Sequence, residues 1–183
     1  MFHEELGDGI YLKVLERRDA AAVFELTERS RERLRRWLPW LDGTRGVADT
    51  EAFLASTLEQ FAQGRGFQAG IWREGAGLLG VVGMHPIDRG NRQGSLGYWL
   101  GSGSEGQGIM TRACRAVLAE AFDGYGLHRM EIRAATGNAS SCALAERLGF
   151  RREGVVRDAE WLYDHFVDHA VYGLLEDEWR AQR

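Results

Sequence analysis

The stretch GYWLGSGSEGQGIMTRA, residues 97–113, places Gly97, Gly101, Gly103, Gly106 and Gly108 between an aromatic-aliphatic run and the start of a helical pattern. Bare backbone amides at a helix N-terminus bind phosphate groups, because unpaired N–H donors and the positive end of the helix dipole point the same way. Three ligands fit such a loop: a dinucleotide, a nucleoside triphosphate, or the pyrophosphate of coenzyme A. The string GSGSEG (101–106) matches the dinucleotide fingerprint GxGxxG. That reading needs an acidic residue at the end of the next strand to hold a ribose. The next strand, MEIRAAT, ends in Ala134, Ala135 and Thr136, and Glu131 lies inside it. A triphosphate loop needs a lysine beside the glycines, and Lys13 is the chain's lone lysine.

Other residues with chemical potential weigh less. DHFVDH offers His165 and His169, but four residues along a strand span about 13 Å, too far for one metal ion, so no metal is expected. Cys114 and Cys142 are isolated, without metal or redox spacing, which fits a reducing compartment. Trp37 and Trp40 flank Pro39 in a segment whose aromatics serve either packing or an acceptor cleft.

The elements that must position these residues follow from periodicity. Residues 10–16, IYLKVLE, read as a short strand. A helix spans about residues 19–36, with Ala22, Val23, Leu26 and Leu34 near helical spacing, and Pro39 stops it. A second helix, TEAFLASTLEQFAQ, is capped by Asp49 or Thr50 and ends at Gly64. FQAGIWRE, GLLGVVGMHPI and GSLGYWLG then form an antiparallel meander. A helix over about residues 106–122, the strand HRMEIRAAT, a helix SSCALAERLG, and a last hairpin from EGVVRDAEWLY and HFVDHAVYGLLE complete the chain. The order β-α-α-β-β-β-α-β-α-β-β predicts an α/β fold with a mixed, mostly antiparallel seven-stranded sheet flanked by helices. The glycines sit in the middle of this order, whereas a dinucleotide fold begins with its fingerprint.

With 183 residues, 44% hydrophobic and 27% charged, one domain spanning 1–183 is expected. A net charge of −4 gives no support to a nucleic-acid partner. The N-terminus is acidic and glycine-broken, unlike a signal peptide, and no apolar run approaches membrane length. A cytoplasmic protein without a membrane partner is expected.

LRRWLPWLDG, GYWLGSGSEGQGIMTRA, TGNASSCALAERLGF, REGVVRDAEW and VYGLLEDEW, in this order, resemble the Gcn5-related N-acetyltransferase (GNAT) superfamily. The branch is the RimJ/RimL type that modifies ribosomal-protein N-termini. The superfamily's [QR]xxGx[GA] loop holds coenzyme A; here Gly106 and Gly108 are kept, and Gly103 replaces the usual Gln or Arg. The resemblance implies the GNAT fold, acetyl-CoA as cofactor, a protein N-terminus or small amine as acceptor, and a homodimer. It implies that the backbone of Leu100, Gly101 and Ser102 pairs with the pantetheine arm. The amides of Gln107, Gly108, Ile109, Met110 and Thr111 then take the pyrophosphate, and Asn138 reaches the pantetheine side. Many members place a tyrosine where this chain has Ala145, so the branch pattern assigns the thiolate's proton to Ser141 and the acceptor's proton to Glu160. Tyr163 stands in reserve as the acid, and Trp37, Trp40 and Tyr163 line the acceptor. Helix capping by Ser140 or Ser141, and an outward charge at Glu160, are the structural alternatives. A small-molecule acetyltransferase and a catalytically silent acyl-CoA-binding protein are the functional ones.

Overall fold

The computed structural model describes residues 2–182. Strands β1 (His3–Gly7) and β2 (Ile10–Val14) form a hairpin, so the sheet has eight strands rather than the expected seven. Gly7, Asp8 and Gly9 turn the chain back with φ of 83°, 55° and 66°, which is the left-handed backbone that an Asp-Gly hairpin turn requires. β1 is nearly all exposed and lacks the alternation by which a strand is read.

Helices α1 (Ala20–Arg35) and α2 (Val47–Ala62) come next. α2 starts three residues earlier than its sequence pattern suggests, because Gly46 is the N-cap. Asp49 sits in the first turn, where its carboxylate accepts the Gly46 amide at 3.0 Å. The meander follows as β3 (Phe67–Arg73), β4 (Gly77–Met84) and β5 (Gln93–Leu100). Then come α3 (Ile109–Ala119), a π-turn over Glu120–Gly124, β6 (Arg129–Ala135), α4 (Ala139–Arg147), β7 (Arg151–Leu162), β8 (His165–Leu175) and α5 (Glu176–Arg180).

The strand order is β1-β2-β3-β4-β5-β6-β8-β7, antiparallel except at β5–β6. β4 is buried from Leu78 to Met84 because helices cover both faces, which is why it reads as a continuous apolar run. On one face α3 and α4 contribute Ile109, Ala113, Val117, Leu144 and Ala145 to the larger core. On the other, Val23 and Leu26 of α1 and Leu54 of α2 pack with Leu15, Leu78 and Val81 against Trp99.

The sheet opens in the middle. β5 and β6 pair only from Gln93↔Arg129 to Ser95↔Glu131; beyond that β5 stays with β4 to Leu100 and β6 stays with β8 to Ala135. Each strand keeps its antiparallel partner, and the two diverge into a wedge. The Ser95 carbonyl accepts the His85 amide at 2.9 Å and the Gly101 amide donates to Leu79 at 2.7 Å, so odd-numbered residues of β5 bond to β4. By the alternation of an antiparallel ladder, Tyr98 and Leu100 aim their amides and carbonyls into the wedge.

Candidate active site

The mouth of the wedge is the glycine loop. Gly108, with φ of 70°, is the N-cap of α3, and the amides of residues 107–111 meet no acceptor among the described residues. A Cβ at Gly106 or Gly108 would meet nothing within 4 Å, so the space before these amides is open. The Ile109 and Met110 side chains are buried in the core and fix the helix start; these residues present only backbone to the mouth. Gln107 folds back: its carboxamide donates to the Gly103 carbonyl at 3.1 Å and accepts from Arg73 at 3.1 Å. Arg147 reaches the Thr111 hydroxyl at 3.4 Å, leaving a guanidinium beside the cradle. Free amides, a helix dipole and open left-handed glycines suit a pyrophosphate.

Inside the wedge the expected backbone stretch shifts. Gly101 gives its amide to Leu79, and the Ser102 amide donates to Ser30 Oγ at 2.9 Å, so neither is free for a pantetheine arm. Tyr98 and the Leu100 amide supply the free backbone instead. Arg33 of α1 binds the Leu100 carbonyl, sits 3.3 Å from Ser102 Oγ, and pairs with Glu105 at 2.7 Å. Ser30 and Arg33 therefore tie α1 to the whole bend between β5 and α3. Their polar sequence context, ERSRERLRR, gave no sign of this.

On the α3/α4 side of the wedge lies Ser141. Its hydroxyl is 2.9 Å from the Tyr98 hydroxyl. The cap of α4 is Asn138, whose side-chain oxygen accepts the Ser141 amide at 3.3 Å. Asn138 thus spends its carboxamide oxygen on the helix and, through its own amide, 2.8 Å on the Ala135 carbonyl; only its Nδ2 is left for a ligand. Neither Ser140 nor Ser141 caps through its hydroxyl, so that of Ser141 is left for chemistry. Tyr98 was not singled out from the sequence. Burial pushes its phenol well above the ordinary tyrosine range, partly offset by the Ser141 hydrogen bond, so it stays a neutral donor. Its signal was its even position in GYWLG, opposite in face to Trp99.

On the α1/α2 side, Glu160 of β7 lies 3.4 Å from His169 Nε2 of β8. The residue that sequence reading dismissed with a metal site is the neighbour of the expected base. Trp40 and Trp99 approach with ring centroids 6.0 Å apart, and Trp37 lies at the Gly137 turn, 3.6 Å from where a Cβ there would sit. Tyr163 is placed differently from its expected role. Its hydroxyl donates to the Leu38 carbonyl and accepts the Leu41 amide at 3.2 Å, while Arg35 lies 3.8 Å from its ring. With its hydroxyl spent on the backbone, Tyr163 anchors the loop that carries Trp37 and Trp40 and is not a free acid.

A mixed sheet split at a parallel pair, with a glycine-capped helix at the mouth of the split, is the plan of an acyl-CoA-dependent acetyltransferase. Residues 10–151 match the acetyltransferase (GNAT) domain family, and the chain belongs to it. It is 35% identical over 185 residues to YdaF of Bacillus subtilis, covering 100% of both chains; that protein carries a provisional name as a ribosomal N-acetyltransferase. It is 25% identical to the ribosomal-protein-serine acetyltransferase of Escherichia coli, over 94% of this chain and 96% of that one. Among solved structures, the microcin C7 self-immunity acetyltransferase MccE, in complex with acetyl-CoA and AMP, superposes with a TM-score of 0.87 at 26% identity, over 93% and 94% of the two chains. The fold of RimL, the ribosomal L7/L12 α-N-protein acetyltransferase bound to coenzyme A, matches with a TM-score of 0.91 at 23% identity, over 97% and 99%. The chain is a GNAT N-acetyltransferase that uses acetyl-CoA.

Proposed function

We propose that the acceptor is the α-amine of a protein N-terminus, acetylated by direct attack on the thioester without a covalent enzyme intermediate. The observation that carries this is the division of the wedge: a hydroxyl pair, Tyr98 and Ser141, on the α3/α4 side, and a carboxylate, Glu160, on the sheet face that also carries Trp99. Names of relatives that act on ribosomal proteins support the acceptor class.

Acetyl-CoA supplies the activated acetyl group. The amides of residues 107–111 and Arg147 hold its pyrophosphate end, and the Tyr98 and Leu100 backbone lines up its arm. Free wedge amides also face the oxygen on which charge develops. The acceptor's ammonium, the form that dominates at neutral pH and is not nucleophilic, gives up a proton on the side of the wedge that carries Glu160. Ser141, hydrogen-bonded to Tyr98, returns one to the departing thiolate, which leaves as the free thiol. Trp37, Trp40 and Trp99 shape the acceptor side. A small-molecule amine is the second reading, favoured by the AMP bound to the 26%-identical immunity acetyltransferase.

Two further expectations belong here. Val155, Val156, Trp161 and Phe166 are exposed on the β7/β8 hairpin and support a homodimer, which sedimentation velocity tests. Relatives named as ribosomal-protein acetyltransferases support a cytoplasmic site of action; separately, among the described residues no helix is long and apolar enough to cross a membrane. The acceptor is tested by comparing cellular N-termini by mass spectrometry with and without the gene, together with thiol release from acetyl-CoA on peptide and small-amine panels. Release only with small amines overturns the protein-acceptor reading.

A further inference from the structure

Glu160 is not the group nearest the wedge. The strand order across the gap is β5, then β6, β8 and β7, with Ala135 at the open end of β6 opposite His169 of β8. Adjacent strands are about 4.8 Å apart, so the backbone of His169 stands one strand closer to the gap than that of Glu160. Both side chains share the face of Trp99: Ser95↔Glu131 sets β6 in phase with β5, Ala135↔His169 sets β8, and the contact at 3.4 Å puts Glu160 there too. The imidazole is 15% exposed and the carboxylate 28%. Among the described residues Glu160 has no ion-pair partner except His169.

We infer that His169 is the group that takes the acceptor's proton, with Glu160 as the positioning residue that holds its imidazole. With Nε2 turned to the carboxylate and carrying its hydrogen, Nδ1 is the acceptor nitrogen left for the substrate. One N–H bond of the acceptor's ammonium breaks and its electron pair stays on the amine nitrogen. The proton forms an N–H bond at Nδ1, and the imidazolium faces the Glu160 carboxylate until solvent removes the proton. A positioned imidazole nitrogen is a common general base in proteins. A carboxylate that orients a histidine and stabilises its cation is the division of labour of catalytic triads.

The charged groups on the surrounding elements leave this pair to itself. Arg133 of β6 is engaged by Glu131 at 2.6 Å, and Arg35 at the end of α1 by Asp42 at 2.8 Å. Asp168, next to His169 in the chain, accepts the Asp158 amide at 2.8 Å. Arg36 at the end of α1 has no ion-pair partner among the described residues; it lines a hollow with Glu32, Asp164 and His165 that includes neither His169 nor Glu160.

The inference rests on the acetyl-transfer reading, and its test separates the two. In His169→Gln and His169→Val, coenzyme A affinity measured by calorimetry stays within about twofold, showing an intact fold, while turnover at neutral pH falls about a hundredfold. Without the base both variants depend on the acceptor amine deprotonating by itself, so their turnover recovers partly as pH rises, more steeply than that of wild type. Adding Glu160→Gln to His169→Gln costs less than about twofold more, because the pair acts as a unit. In ¹⁵N spectra of the wild-type protein the His169 ring carries its hydrogen on Nε2, and Glu160→Gln changes that tautomer balance. Turnover within about threefold of wild type, with an unchanged pH profile, overturns the assignment. If the wild-type protein binds coenzyme A yet acetylates no amine, the reading of function falls. The ring spectra still decide the pair, and a His169 signal unmoved by Glu160→Gln overturns it.

Discussion

The hydroxyls of Tyr98 and Ser141 meet at 2.9 Å, joining the strand that edges the wedge to the first turn of the helix beyond it. Because Asn138 caps α4 through the Ser141 amide, the serine hydroxyl can be removed without touching the cap. Ser141→Ala is expected to lower turnover about a hundredfold with coenzyme A affinity unchanged and the cap's roughly 1 kcal/mol retained. Tyr98→Phe keeps the ring and removes only the partner hydroxyl, and turnover falls less, about tenfold. Steady-state kinetics beside thermal melts check both. A Ser141→Ala enzyme that melts early but turns over normally returns the serine to a structural role.

Gly108 stands at φ of 70° with open space before it. Gly108→Asp adds backbone strain of about 1 kcal/mol and a like charge in the cradle, and coenzyme A affinity is expected to fall well over tenfold. Gly108→Ala isolates the strain and costs less. Calorimetry measures both, with NAD as the control that does not bind.

Tyr163 holds the loop at Leu38 and Leu41 through one hydroxyl. Tyr163→Phe keeps the stacking with Arg35 and releases the loop. The acceptor KM is expected to rise about tenfold with coenzyme A affinity unchanged, since the loop carries Trp37 and Trp40 on the acceptor side alone. An equal loss for both substrates would return the anchor to general stability.

Alkali is expected to destabilise the protein through three buried groups. Burial raises the Cys114 thiol above its usual 9.0 and the Tyr98 phenol above its usual 10.0, and it is the main cause that pushes Tyr172 up to about 12. Unfolded chains release these protons first, so the stability they contribute is complete below about pH 9 and is lost as pH rises through the folded values. Urea midpoints should be flat below about pH 9 and decline above it. Tyr98→Phe should decline less steeply than wild type.

Much of the site was written locally. The glycines that free the cradle amides lie within a few residues of the helix they cap, so their type and spacing carried the phosphate reading. The meander, the helices and the last hairpin were legible because each buries one face and repeats at its own period. β1 escaped notice because both of its faces are largely exposed, although the Gly-Asp-Gly turn beside it is a hairpin signal.

By itself, the sequence determined the order of elements and the phosphate-binding loop, since each depends on residues near one another in the chain; Ser141 and Glu160 entered as what the family resemblance implies. Tertiary structure alone decided which groups face the wedge. Tyr98 and Ser141 are 43 positions apart, Tyr163 and Leu38 are 125, and Arg33 and Leu100 are 67. Side chains so separated meet only after β5 and β6 have chosen β4 and β8 as partners, and no local periodicity records that choice. The same pairing carries His169 one strand closer to the gap than Glu160. Strand order, which follows from packing both faces of the sheet at once, is what brings this histidine of the last hairpin toward the split in the sheet.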